Sequence, residues 1–77
     1  MAQGFVKERK VELTLRLDDV GGGTTYIGDA IPSTSESAAF WRIKRMVETG
    51  PDIVILWADG DANFNNVWDD RVGLSYS

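Results

Sequence analysis

The stretch Val11-Glu12-Leu13-Thr14-Leu15-Arg16-Leu17 alternates without interruption between aliphatic and polar side chains. Side chains of a β-strand point to opposite sides of a sheet in turn, so this period of two places the aliphatic residues on one face. Glu12, Thr14 and Arg16 share the other face. The stretch therefore predicts a half-buried β-strand whose aliphatic side packs on a core.

A glycine-rich segment and a second β-prone stretch follow this strand. The run Gly21-Gly22-Gly23-Thr24-Thr25 has some of the composition of a phosphate-binding loop, but no Lys-Ser or Lys-Thr pair follows it. Because glycine tolerates positive φ, the run instead predicts a connection between strands. The β-branched and aromatic residues over 24–28 predict the second strand. Residues 1–10 are predicted to form a flexible arm ahead of the first strand.

Residues 38–48 fit two kinds of secondary structure. Ser33 and Glu36 have the spacing of a capping box, and apolar residues that follow recur at helical intervals, which indicates a helix. The turn sequence Thr49-Gly50-Pro51-Asp52 comes directly afterwards and leads into a β-branched run over residues 53–57. Two short strands around a Gly-Pro-Asp turn form a hairpin directly. The sequence therefore favours a strand over a helix for residues 38–48.

The C-terminal third predicts a short helix and a final strand. The helix is indicated by residues at i, i+3, i+4 and i+7, which are Phe64, Val67, Trp68 and Arg71. Residues 74–76 predict a closing edge strand. Together the elements predict a mainly β fold in a single small domain over residues 1–77. We expect a small antiparallel β meander, sandwich or barrel-like module with one short helix near the C-terminus.

The composition argues against several classes of function. Of the 77 residues, 8 are basic and 12 acidic, for a net charge of −4, and neither histidine nor cysteine is present. The chain therefore lacks thiol nucleophiles and the commonest general base near neutral pH, so no enzyme is predicted. Net negative charge disfavours binding to nucleic acid or to anionic membranes. The N-terminus has no signal-peptide pattern, and the apolar run over residues 53–58 is far shorter than the ~20 residues that span a bilayer.

The segment Asp59-Gly60-Asp61-Ala62-Asn63 carries oxygen-bearing side chains at alternate positions, and Asp70 stands at the twelfth position of the same segment. This spacing resembles that of a calcium-binding EF-hand loop. The candidate metal ligands are Asp59, Asp61, Asn63 and Asp70. Phe64 occupies the sixth position, where such a loop needs glycine, and a strand precedes the segment instead of a helix. The sequence therefore favours an Asx-rich turn over a calcium site, and no other cofactor is predicted.

A chain of this length has little interior in which to enclose its large aromatic side chains. A lone core below roughly 70–80 residues supplies about 3–5 kcal/mol, so small domains usually need a disulfide, a metal or a partner. With no cysteine, three tryptophans and three phenylalanines, some rings are expected to be covered by another chain. Trp57 and Phe64 are assigned to the core first. The candidate interface residues are Trp41, Trp68, Tyr76 and Arg71.

Two strings in the second half carry a resemblance to known proteins. They are Trp57-Ala58-Asp59-Gly60-Asp61-Ala62-Asn63-Phe64 and Val67-Trp68-Asp69-Asp70-Arg71. Over residues 24–77 the chain resembles a group of small proteins encoded by tailed bacteriophages. The resemblance implies a structural component of the virion, either a capsid decoration protein or a module associated with the tail or fibre. It implies assembly with other virion proteins or with further copies of the chain, and it carries over no catalytic residues. The alternative is a calcium-dependent binding module built on residues 59–70.

Overall fold

The computed structural model describes residues 12–77, which form a four-stranded sheet and a short 3-10 helix. The strands are β1 (Thr14–Gly21), β2 (Thr24–Ala30), β3 (Arg42–Thr49) and β4 (Asp52–Trp57), and the 3-10 helix spans Trp68–Gly73. Val11 and the arm predicted over residues 1–10 lie outside the described residues.

The strands form one antiparallel sheet in the order β1-β2-β3-β4. Each strand therefore pairs with its neighbour in sequence, which is the arrangement of a β meander. The prediction of a mainly β fold with a short helix near the C-terminus is confirmed, and the sheet is open rather than closed into a barrel. Residues 38–48, for which a strand was favoured over a helix, supply most of β3, so this prediction is confirmed from Arg42 onward.

Both hairpin connections use glycine where the backbone requires a positive φ. Gly22 and Gly23 join β1 to β2 with φ of +64° and +86°, so the glycine run is a strand connection. Gly23 also lies close to β3. A Cβ at this position would lie 2.7 Å from the carbonyl oxygen of Glu48, so a larger residue would clash there. Gly50, with φ of +62°, and Pro51 form the two-residue loop between β3 and β4.

The predicted C-terminal helix is shorter than the sequence spacing indicates. The helical period over residues 64–71 is realised only as a 3-10 helix that begins at Trp68, and Phe64 lies outside it. The reason is a pairing of the preceding backbone with another part of the chain. Trp41 and Asn66 exchange two N–H···O=C hydrogen bonds, of 2.9 and 3.0 Å, which commit the backbone at Asn66 to a bridge.

The closing strand predicted for residues 74–76 is reduced to a single bridge. Tyr76 pairs with Ala58, just beyond the end of β4. The flanking backbone supports this bridge, since Trp57 and Ser77 exchange N–H···O=C hydrogen bonds of 3.0 and 3.1 Å. The end of the described chain is thereby tied to the edge of the sheet.

The core lies between one side of the sheet, which we call the covered face, and residues 66–77, which we call the C-terminal segment. Its buried apolar residues are Tyr26, Ala30, Trp41, Ile43, Ala58 and Trp68. Leu74 and Tyr76 pack against this cluster. The rings of Trp41 and Trp68 have centroids 5.9 Å apart. Trp68 also lies directly over Gly28, where a Cβ would come within 2.5 Å of its ring.

The structure reverses the orientation predicted for the first strand. Leu15 and Leu17 are 58% and 66% exposed, whereas Arg16 and Asp18 on the opposite side are partly buried. The prediction that the aliphatic side packs on the core is therefore wrong. The polar side is covered instead because it bonds to the C-terminal segment. Asp18 accepts a 2.9 Å hydrogen bond from Nε of Arg71.

Candidate functional site

The side of the sheet opposite the covered face carries apolar side chains from all four strands. The register aligns Leu17, Ile27 and Trp57 in one row, and Met46 and Ile55 in the next. Because side chains alternate along a strand, residues two apart share this side. We call it the open face, and its apolar members are Leu15, Leu17, Ile27, Met46, Ile53, Ile55 and Trp57.

Much of the open face is accessible to solvent in the single chain. Ile53 and Ile55 are 56% and 50% exposed, similar to Leu15 and Leu17, and the other members are partly buried. Within residues 12–77, the C-terminal segment packs on the covered face and leaves this side uncovered. A large exposed apolar surface is uncommon on a soluble monomer, and such surfaces are typical of interaction sites.

A charged cluster, Asp29, Arg42 and Lys44, interrupts the open face. Asp29 accepts two hydrogen bonds from Arg42, from Nε at 3.1 Å and from Nη2 at 2.5 Å. The hydrogen bond to this carboxylate is the main reason that the pKa of Arg42 is raised. The Arg42 guanidinium carbon lies 4.7 Å from the ring centroid of Phe64, and Nζ of Lys44 lies 5.1 Å from that of Trp57. The two cations are thus held against aromatic rings at the surface.

An apolar groove lies at the end of the open face where β1 begins. Its volume is about 660 Å³, and it is lined by Leu13, Ile31, Thr34, Phe40 and Phe64. Leu13 precedes β1 and Ile31 follows β2, so both stand at this end of the sheet. The contact of Phe64 with Arg42 joins the groove to the open face. The groove therefore extends the accessible apolar surface beyond the strands.

On the covered face, arginine side chains lie against the buried aromatic rings. The guanidinium of Arg16 is 5.5 Å from the ring centroid of Trp41, and that of Arg71 is 4.4 Å from the ring of Trp68. Arg71 also donates hydrogen bonds to Asp18 at 2.9 Å and to the carbonyl oxygen of Trp68 at 3.1 Å. The contacts of Arg71 fasten the C-terminal segment to β1.

All of the predicted interface residues lie on the covered side. Trp41 and Trp68 are enclosed in the core of their own chain, so their assignment as interface residues is corrected. Tyr76 is partly buried, and its hydroxyl donates a 2.7 Å hydrogen bond to the carbonyl oxygen of Arg71. The physical reason is the same for the whole set, since these residues attach the C-terminal segment to the sheet.

The aromatic residues assigned to the core lie on the opposite side. Trp57 belongs to the open face, and Phe64, 40% exposed, lines the groove. The members of the open face from β1 and β4 were not predicted as site residues. Their signal was the apolar run Ile53-Val54-Ile55-Leu56-Trp57, because an uninterrupted apolar strand is typical of a strand covered on both sides. The C-terminal segment covers one side, so the run indicates a second covering surface.

The predicted calcium ligands form a turn. Asp59 and Gly60 have φ of +60° and +73°, and Asp61 accepts a 3.0 Å hydrogen bond from the backbone N–H of Asn63, as in an Asx turn. Asp70 lies in the 3-10 helix. In the part of the chain that the structure describes, no group of three or more acidic, histidine or cysteine side chains is placed to hold a metal ion. Calcium binding stays a prediction.

Comparisons with known proteins add no family to this description. No protein-family model, no curated protein and no solved structure matches the chain. Among the described residues, no helix is both long and apolar enough to cross a membrane. Function is therefore inferred from the open face together with the sequence resemblance.

Proposed function

We propose that this chain is a structural component of a bacteriophage particle, either a capsid decoration protein or a module associated with the tail or fibre. It acts by protein–protein assembly through the open face and takes part in no chemical step. The observation that carries the proposal is the apolar surface of the open face, whose exposed side chains come from β1 and β4 and whose partly buried ones come from β2, β3 and Trp57. Its partners are other virion proteins, further copies of the chain, or both, and its location is the virion.

Burial of the open face supplies a driving force of the size that assembly requires. Covering a side chain such as Leu17, which is 66% exposed, contributes about 1–2 kcal/mol. The most exposed members, Leu15, Leu17, Ile53 and Ile55, therefore contribute roughly 4–8 kcal/mol together, comparable with the ~4–15 kcal/mol lost on association. A single contact has modest affinity, whereas the same contact repeated in a symmetric particle is strong.

The assignment to a phage particle is supported by the resemblance over residues 24–77. The two strings that carry it cover residues 57–64 and 67–71. In the fold these residues end β4, line the groove and fasten the C-terminal segment through Trp68 and Arg71. Related chains with these strings are therefore expected to share the same covered face.

Analysis of purified particles tests the location. We expect mass spectrometry of density-gradient particles from the encoding phage to recover the chain in a fixed ratio to the major capsid protein. Recovery of the chain only from the unassembled fraction of the lysate would contradict a structural role.

A matched pair of variants tests the surface. Leu17→Glu places a charge on the open face, and we expect at least a tenfold loss of incorporation into particles. Val72→Glu is the control, because Val72 is 69% exposed and lies on the 3-10 helix, away from the open face. If both variants are incorporated as well as the unmodified chain, the open face is not the assembly surface.

A further inference from the structure

We propose that the open face is covered by a second copy of this chain, related to the first by a two-fold axis that runs along the strands between β2 and β3. In this dimer β1 of one copy lies over β4 of the other, and β2 lies over β3. The inference deepens the proposed function, since it rests on the open face as an assembly surface. It does not depend on the identity of the particle.

The open face has the dimensions of a sheet-packing surface. Four strands of 6 to 8 residues span about 19 Å by 20–26 Å at ordinary strand spacing and rise. The projected area is thus about 380–490 Å², against the ~800 Å² of accessible surface that each partner buries in a standard interface, and the groove residues Phe40 and Phe64 add to it. Two such faces pack ~10 Å apart with interdigitating side chains, so two copies form a β-sandwich.

The charged side chains of the open face are divided between its two halves. By alternation, Asp19 and Asp29 project to this side from β1 and β2, and Arg42 and Lys44 project from β3. Glu48 lies farther along β3, beside the hairpin loop. Asp29 and Arg42 stand in the same row on neighbouring strands. A two-fold axis between these strands therefore brings each Asp29 over the partner's Arg42.

A two-fold axis across the strands gives a poorer match. At the centre of the face it sets Lys44 against the partner's Lys44. Like charges that oppose each other in this way are costly in an interface that excludes water. The axis along the strands opposes no like charges, since it sets Leu17 over the partner's Trp57, Lys44 over Ile27 and Asp19 over Ile55. The match of Asp29 with the partner's Arg42, without opposed like charges, thus favours a second copy as the occupant in this orientation.

Engineered cysteines can test this orientation because the chain has no cysteine of its own. Ile27 lies beside the proposed axis, so the Cβ atoms of two Ile27→Cys copies stand about 8–9 Å apart, whereas those of two Leu17→Cys copies stand about 16 Å apart. With a bismaleimide of about 8 Å span, we expect Ile27→Cys to form a covalent dimer at least tenfold faster than Leu17→Cys. Equal rates for the two variants would overturn the orientation.

Sedimentation velocity of the full chain tests the occupant. We expect a dimer for the unmodified chain and for Val72→Glu, and a monomer for Leu17→Glu with an unchanged circular dichroism spectrum. An unmodified chain that sediments as a monomer would overturn the inference. The same holds if residues 1–11 of the same chain cover the open face, which would be detected as slow reaction of Leu17→Cys with a monofunctional maleimide. If that monomer is still incorporated into particles, the proposed function stands and only the second copy is refuted.

Discussion

At position 28 the side chain is a hydrogen atom because the indole of Trp68 fills the space that a Cβ would need. A Cβ there would lie 2.5 Å from Cε3 of Trp68 and 3.3 Å from Cε3 of Trp41. Both rings are buried, and a close-packed interior has no adjacent void into which they could move. The packing of the covered face therefore depends on glycine at this one position of β2.

The variant Gly28→Ala is accordingly expected to lower the free energy of unfolding by about 1–3 kcal/mol, because the added methyl group overpacks the core. Urea denaturation measures the change. Gly73→Ala is the matched control, since nothing lies within 4 Å of a Cβ at Gly73, and its effect should stay within about 0.5 kcal/mol. Equal losses for the two variants would show that the contact with Trp68 does not limit this site.

Burial raises the pKa of the Tyr76 hydroxyl from 10.0 to about 12, and Tyr26 adds to the shift. At a pH between 10.0 and about 12, the hydroxyl is ionised in the unfolded chain but still protonated in the folded chain. Unfolding in this range therefore releases a proton. The contribution of Tyr76 to stability is complete below pH 10 and is lost as the pH rises through about 12.

Comparison with Tyr76→Phe isolates this effect. At pH 9 we expect the variant to be less stable by about 1 kcal/mol, because it lacks the 2.7 Å hydrogen bond to the Arg71 carbonyl oxygen. Since phenylalanine does not titrate, the difference should shrink as the pH is raised from 10 toward 12. Urea unfolding of both proteins across this range measures it, and a difference independent of pH would contradict the assignment.

The turn at residues 59–63 is expected to hold its shape without calcium, because the Asp61 carboxylate already accepts the backbone N–H of Asn63. We therefore expect the same melting temperature in 1 mM calcium and in chelator. A site with a Kd of 10 µM would instead stabilise the fold by about 2.7 kcal/mol at that concentration. A clear rise in melting temperature that Asp61→Asn abolishes would establish the calcium-dependent module.

Among the elements, the 3-10 helix is held to the sheet by the buried ring of Trp68 and by the side chain of Arg71. Arg71 bonds to Asp18 of β1 and to the carbonyl oxygen of Trp68, and its guanidinium lies over the Trp68 ring. The ion pair is partly exposed and contributes under ~1 kcal/mol by itself. The hydrogen bond and the ring contact add to it, so the attachment depends on the shape of arginine as well as its charge.

Replacement of this side chain tests the attachment. Arg71→Ala is expected to lower the free energy of unfolding by about 2 kcal/mol, and Arg71→Lys should recover less than half of the loss because lysine lacks the planar fork. Val72→Ala, exposed on the same helix, should be neutral within about 0.5 kcal/mol. Chemical denaturation compares the variants, and full recovery by lysine would mean that charge alone secures the helix.

Residues 12–77 form two layers, and within this range one side of the sheet has no covering layer. The C-terminal segment encloses Trp41 and Trp68 on the covered face, whereas Leu15, Leu17, Ile53 and Ile55 remain at least half exposed on the other. In the proposed dimer a second copy supplies this layer and buries apolar surface that residues 12–77 leave exposed. The stability of the fold is then linked to the concentration of the chain.

The melting temperature is therefore expected to rise with protein concentration, because each tenfold increase favours the dimer by about 1.4 kcal/mol. Differential scanning fluorimetry over a hundredfold range measures this dependence. Leu17→Glu should abolish it while Val72→Glu preserves it. A melting temperature independent of concentration in the unmodified chain would show that the fold gains nothing from a second copy.

Most of the fold could be predicted from short stretches of sequence. Strand alternation, glycine at positive φ and the Gly-Pro turn are local features, so they identified the meander and its turns. The limits of the C-terminal helix and of the final strand could not be predicted from local sequence. The bridges of Asn66 with Trp41 and of Tyr76 with Ala58 replace the helix start and the final strand, and each joins residues that are distant in sequence.

The candidate site was less accessible to prediction than the fold. Alternation in β1 separated two faces correctly but could not tell which of them the rest of the chain would cover. That choice depends on contacts such as Asp18 with Arg71, which are 53 residues apart in sequence. Local pattern thus decided which residues share a face, because side-chain direction is a property of the strand. Tertiary contacts decided which face became the core and which stayed open, because burial is a property of the whole chain.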